Sequence, residues 1–181
     1  MSNNQQVLGT EPVGKLLLKY SLPAIIGMMV NGLYNVVDRI FIGNMPGVGP
    51  LAITGLGVTM PIMTIIMAFG MLIGIGTSAR ISLKLGEHKR EEAEKHLGNA
   101  FTLIIIASVL ITIIGLVFMH KILGLFGASA DTEVYAREYM QIIFFGTIFN
   151  MLSFGLNHSI RSDGSPKVAM LSMLIGAGTN I

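Results

Sequence analysis

The chain has 181 residues, 52% hydrophobic and only 12% charged, against roughly 25% charged in an ordinary soluble domain. A net charge of only +2 gives no basic surface for nucleic acid, and the absence of cysteine excludes disulfides and thiolate metal sites. Long charge-free runs and a mean hydropathy of +0.70 predict an all-α, polytopic membrane protein.

Residues 1–14 read as a polar N-terminal tail with no basic start of a signal peptide, and residues 15–181 as a transmembrane lobe. The first span is predicted at about 16–43, with Lys15 and Lys19 at its inner interface and no charge from Tyr20 through Val37. Pro23 removes the bond its amide would give to the Lys19 carbonyl. It marks either a hinge or an ordinary tolerated membrane proline. Asn31, Tyr34, Asn35 and Asp38 follow at i, i+3, i+4 and i+7, so they share one helix face. A carboxylate at mid-membrane costs about 2.5–3.5 kcal/mol on insertion scales, so one reading gives Asp38 a cavity or partner and a use. The other reading places Asp38 and Arg39 at the outer headgroup boundary, since Gly43 lies only ~8 Å further along the axis.

The run N-M-P-G-V-G-P breaks the chain before a second span at about 51–79. Gly70 and Gly74 stand there in GxxxG spacing, a signal chiefly of close helix packing. Arg80 to His96 is the one strongly charged segment. It predicts a surface helix after Gly86 with Arg90/Glu94 and Glu91/Lys95 as i,i+4 pairs, and His88 and His96 in solvent. A third span is predicted at about 98–119, then a loop from His120 to Glu138 in which Asp131 caps a short helix. The fourth span, about 139–160, carries Asn150, Ser153, Asn157 and Arg161 as a second polar stripe. After the turn R-S-D-G-S-P-K, a fifth apolar segment covers 168–181. Its 14 residues would reach ~21 Å of a ~30 Å core, so it is expected to be a truncated span.

Nine Lys and Arg fall on one side of this arrangement and three on the other, which places the N-terminus in the cytoplasm. The spans hold no paired carboxylates, no H-E-x-x-H and no serine–histidine couple; His158 is their lone histidine. An enzyme is not expected, and no Gly-lysine phosphate loop points to ATP. What remains is one intramembrane acid and two polar helix faces, which suit a proton or cation site of a transporter. The thirteen methionines suit an adaptable cavity, or for the larger part lipid-facing packing.

The residues L-P-x(10)-Y-N-V-V-D-R-I-F-I-G, A-R-I-S-L-K-L-G-E-H-K-R-E-E-A-E-K, Y-A-R-E-Y-M, N-H-S-I-R-S-D-G-S-P-K and G-A-G-T-N-I occur in order between Leu16 and Ile181. In these the chain resembles the multidrug and toxic compound extrusion (MATE) family of cation-coupled efflux transporters. The resemblance implies a twelve-helix, two-lobed transporter of the cell membrane. This chain would form most of its N-terminal lobe, as four complete transmembrane helices and a truncated fifth. It implies that Asp38 is the proton- or sodium-linked acid, that Tyr34 lines the cavity and that Pro23 lies at a bend. Asn180 matches an asparagine that accompanies a second acid one turn later, and the chain stops before that acid. Asn157 matches a cavity-facing asparagine, and Asn31, Asn35 and Asn150 are expected on the same cavity. If the coupling ion is Na⁺, Asp38 and Asn180 are the expected ligands; no other cofactor is expected. Expected partners are the bilayer, small-molecule drugs and the remainder of the transporter, with no nucleic acid. The alternative is a split or truncated module that transports nothing without a partner chain.

Overall fold

The computed structural model describes residues 11–180, and everything described there is helix, turn or short link. Six helices follow in order: α1 Val13–Gly43, α2 Gly49–Gly86, α3 Arg90–Val117, α4 Met119–Leu125, α5 Ala130–Ser162 and α6 Pro166–Asn180. Four of them, α1, α2, α3 and α5, are long and apolar enough to cross a membrane. The described chain is thus an all-α, polytopic membrane protein.

Helices α2, α3 and α5 form the tight part of the bundle, and α2 packs most extensively on α5. Ile66, Ile104, Phe144 and Met151 fill the space between them, and α4 closes one end with Leu123. At the α2–α5 crossing, a Cβ added to Gly74 would sit 2.7 Å from the Cα of Gly155. The two backbones approach that closely only because both positions lack side chains. Gly70 lies one turn away against Met151, so the GxxxG pair is a packing seam. Helix α1 pairs mainly with α6, where Gly27 meets Met173, and this pair touches α2 and α5 more lightly. Outward-facing Leu72, Ile142 and Phe145 are 70% or more exposed, as a lipid-facing surface requires.

Hydroxyls within the bundle are satisfied locally. Thr59, Ser108 and Thr147 are fully buried and each donates to a carbonyl one turn back, at 2.7, 2.9 and 2.9 Å. With no water in a bilayer core, this is the cheapest partner available. Thr112 instead donates across to the Phe144 carbonyl at 2.9 Å and ties α3 to α5.

Several helix ends differ from the sequence-based expectation. The segment after Gly86 does not form a separate surface helix: α3 starts at Arg90 and runs unbroken through Leu97 and Gly98 into the span. The helix-favouring run R-E-E-A-E-K and the apolar run after Ala100 flank Gly98 and Asn99, and the helix carries through these two weak formers. Of its predicted pairs, Arg90–Glu94 is present at 3.0 Å; among the described residues Glu91–Lys95 is not. The predicted 120–138 loop contains α4 and the first turns of α5. Ser129, not Asp131, caps α5, in a reciprocal box with Thr132. Asp131 falls in the first turn, where its charge favours the helix dipole. Helix α1 stays continuous through Pro23, which is buried.

Candidate functional site

Helix α1 is polar on its inner face and apolar on its outer one. Asn31, Tyr34, Asn35 and Asp38 are all half-buried, whereas Leu33, Val36 and Ile40 are 61%, 53% and 57% exposed. The i, i+3, i+4, i+7 spacing thus carries four polar side chains toward α2 and α5.

Three cavities lie along that face. The first, about 420 Å³, opens between α1, α2, α5 and α6. Asn31 and Tyr34 line it from α1, Ser153, Asn157, His158 and Arg161 from α5, and Gly176 and Ala177 from α6. The second, about 220 Å³, holds Tyr34, Asn35, Asp38 and Arg39 opposite Tyr139 of α5. The third, about 210 Å³, lies between α2 and α5 and is lined by Thr147 and Asn150. Tyr34 borders the first two, Met63 the second and third, and Met67 the first and third. The three cavities therefore form one chain of neighbours around a Met63–Met67 ridge.

Each predicted residue has a definite place in this arrangement. Asn35 donates from Nδ2 to the Asn31 carbonyl at 2.7 Å, which keeps its amide close to the helix. Asn157 is a clamp as well as a lining residue. Its Nδ2 donates to the Ala169 carbonyl at 2.9 Å and to Ser172 Oγ at 3.2 Å, and its Oδ1 accepts from Arg161 Nε at 3.1 Å. The side chain that joins α5 to α6 thus has its amide already engaged. Asn150 lies apart from the first cavity, in the third one, and its Oδ1 is buried with no hydrogen-bond partner among the described residues. Pro23 sits below the cavities on α1. Asn180 closes α6, and its side chain lies outside the described residues. From the Gly27–Met173 contact, α1 and α6 run parallel. Residue 38 is ~16 Å further along and residue 180 ~10 Å. No group of three or more His, Cys, Asp or Glu that could hold a metal occurs among the described residues.

Tyr139 is the residue that sequence reasoning missed. It faces Asp38 across the second cavity, and its hydroxyl approaches Met63 Sδ at 3.8 Å. A signal for it existed: Tyr139, Asn150 and Arg161 are spaced by eleven, three turns each, so the α5 stripe extends back to Tyr139. The methionines also divide differently from the expectation. Met28, Met60, Met63, Met67, Met71 and Met173 line cavities, while Met119, Met140 and Met151 are core. Met28, Met60 and Met71 are exposed as well as cavity-lining, and Met29 and Met45 are exposed outside the cavities.

A family profile described as MatE matches residues 23–181. Multidrug export protein MepA of Staphylococcus haemolyticus (strain JCSC1435) is 31% identical over 169 residues, 92% of this chain and 36% of the relative. Among solved structures, that of the MATE multidrug transporter DinF-BH is 42% identical with a TM-score of 0.88, covering 96% of this chain and 38% of that one. A MATE structure in complex with MaD5 is 30% identical with a TM-score of 0.90, covering 100% and 40%. The chain therefore spans between 36% and 40% of the length of these relatives.

Proposed function

The chain belongs to the MatE family, and on that premise we propose that it supplies the ion-coupled N-terminal lobe of a multidrug efflux antiporter. In this reading, organic and often cationic compounds are exported in exchange for H⁺ or Na⁺. The observation that carries it is the second cavity, where Asp38 shares a half-buried recess with Tyr34, Asn35 and Tyr139. A carboxylate in such a recess changes its preference for a proton or cation as the water and charge around it change. Asp38 is the coupling group, and Asn180 joins it if the ion is Na⁺.

The first cavity takes the substrate. Asn31, Tyr34 and Asn157 offer polar edges, and Met28, Met67, Met71 and Met173 offer soft walls that tolerate varied shapes. Asn35 and Asn150 stand at the adjoining cavities. Because Tyr34 borders both recesses, occupancy at Asp38 and occupancy by drug compete for one side chain's position. Such coupling moves substrate only when ion and drug differ in affinity between inward and outward states. Pro23, below Gly27 on α1, is where that helix can bend, since one backbone bond is already missing. The Lys and Arg asymmetry supports a cell-membrane protein with its N-terminus in the cytoplasm.

Substitution Asp38→Asn in the full-length transporter keeps the shape and removes the titratable charge. We expect drug efflux from loaded cells or vesicles to fall to background at unchanged expression; efflux at the wild-type rate would refute the assignment.

The chain spans 36% to 40% of the length of its relatives, and a second reading is a lobe that transports only together with a partner chain. Intact mass from native membranes separates the two. A mass near 19.4 kDa supports the partner-dependent module, and more than twice that supports a single-chain transporter.

A further inference from the structure

A fourth cavity, about 530 Å³, lies at the opposite end of the bundle from Asp38, between α2, α3, α5 and α6. Its walls are aliphatic: Ile81, Leu85, Leu97, Leu156, Ile160 and Val168. Its rim is charged, with Arg90, Glu94 and Asp163 beside Ser159 and Ser165. The position is set by sequence. The charge-free run of α2 ends at Arg80, that of α3 begins after His96, and that of α5 ends at Arg161. Ile81, Leu97 and Ile160 are the immediate neighbours of those three limits. The groove straddles the level at which each helix passes from hydrocarbon to headgroups.

We propose that this groove is a binding site for one zwitterionic phospholipid with a primary ammonium headgroup. An acyl chain matches the aliphatic walls. The rim selects the head by charge. It carries one guanidinium and two carboxylates, so a phosphate and an ammonium both find a partner. Among the groove's own lining residues an anionic lipid would meet two carboxylates against one guanidinium, unlike in the basic pockets that hold such lipids between membrane helices. Arg90 gives its Nε to Glu94 at 3.0 Å, and its terminal nitrogens make no further bond among the described residues, leaving them for the phosphate. The carboxylate of Asp163 takes no side-chain bond among the described residues and is exposed at the end of α5. A primary ammonium has three N–H donors for Asp163 and Glu94, whereas a trimethylammonium has none. This inference is independent of the transport reading, since it uses no residue of the first three cavities.

The test is native mass spectrometry of the detergent-solubilised chain titrated with dioleoyl phosphatidylethanolamine, phosphatidylcholine or phosphatidylglycerol. We expect one retained ethanolamine lipid, at about threefold or more over either of the others, the scale of one exposed ion pair. The double variant E94Q/D163N should lose that preference while still holding a lipid, and Leu97→Trp should expel lipid by filling the groove. Circular dichroism on each variant checks that helix content is kept. Because Glu94 and Asp163 are exposed, the double variant remains informative if Leu97→Trp fails to fold. Equal retention of the three lipids, preference for the glycerol lipid, a preference that survives E94Q/D163N, or no retained lipid would each overturn the proposal.

Discussion

His88 holds a left-handed backbone, with φ of 62°, at the turn between α2 and α3. Its amide bonds to the Leu85 carbonyl at 3.1 Å and that of Lys89 to Lys84 at 2.9 Å, the paired bonds of a Schellman end. The ends of α4 and α5 close the same way, with Gly127 at φ 92° and Gly164 at φ 85°. Where those two use glycine, this one uses histidine, whose Cβ crowds the carbonyl. Replacing His88 with Gly should therefore stabilise the chain by about 0.5–1 kcal/mol, after glycine's extra unfolded-state entropy is subtracted. Thermal unfolding in detergent reads this as a raised midpoint, and a β-branched His88→Val should lower it. A midpoint that ignores both changes would mean the turn is not formed.

At the scale of elements, helix contact depends on small residues and on one ion-pair cluster. Gly74→Ala places a Cβ 2.7 Å from the Cα and 2.8 Å from the carbonyl oxygen of Gly155, a backbone that cannot swing aside. Forcing α2 and α5 apart should cost about 1–3 kcal/mol. Gly76→Ala, whose Cβ meets nothing within 4 Å among the described residues, should instead gain up to about 1 kcal/mol of helix propensity. Equal shifts for the two variants in the same unfolding assay would rule out the close crossing.

Between α2 and α3, Lys84 bridges Glu87 at 3.1 Å and Glu92 at 2.8 Å, and Lys89 pairs with Glu87 at 3.0 Å. Hydrogen bonds from Lys89 and Lys84 hold Glu87 below its ordinary 4.5, and the bond from Lys84 does the same for Glu92. The bonds to Glu92 and then Glu87 raise Lys84 above its ordinary 10.5. Carboxylates lowered in the fold stabilise it above 4.5 and lose that contribution as pH falls through their depressed values. The raised lysine contributes fully below 10.5 and loses its share above it. The stability difference between wild type and Lys84→Met should be constant between those limits and close on both outer sides. A difference unchanged in acid would show that the cluster adds nothing. These groups are exposed, so the effect is small.

The whole molecule divides into a dense three-helix core and a lighter α1–α6 pair. On α1 only Pro23 and Gly27 are buried, whereas α2 and α5 each bury eight residues. The pair is held by few polar contacts, and the Asn157 clamp is central among them. Asn157→Ala removes the bonds to Ala169, Ser172 and Arg161 and should cost about 1–2 kcal/mol. Hydrogen exchange should then quicken in α6 and leave α3 unchanged; uniform quickening would argue against two separate bodies. A light pair lining the first cavity against a dense core is the form expected of an element that moves relative to its frame.

Much of this was decided by the chain alone. Charge-free length predicts the membrane helices, because an apolar solvent leaves the backbone no other structure. The spacing of Asn31, Tyr34, Asn35 and Asp38 placed them on one face, because helix periodicity is local. The N-M-P-G-V-G-P break and the Gly70–Gly74 seam were legible for the same reason. Helix ends were not: α3 runs through Gly98, and Ser129 rather than Asp131 caps α5, because competing caps differ by only about 1 kcal/mol and packing chooses among them. Tertiary structure alone decided that Tyr139 stands opposite Asp38, that Asn150 occupies a cavity apart from Asn157, and that Asn157 clamps α6. Each is a relation between helices, set by how far and at what angle they cross, and a one-dimensional pattern records faces but not the distances between them.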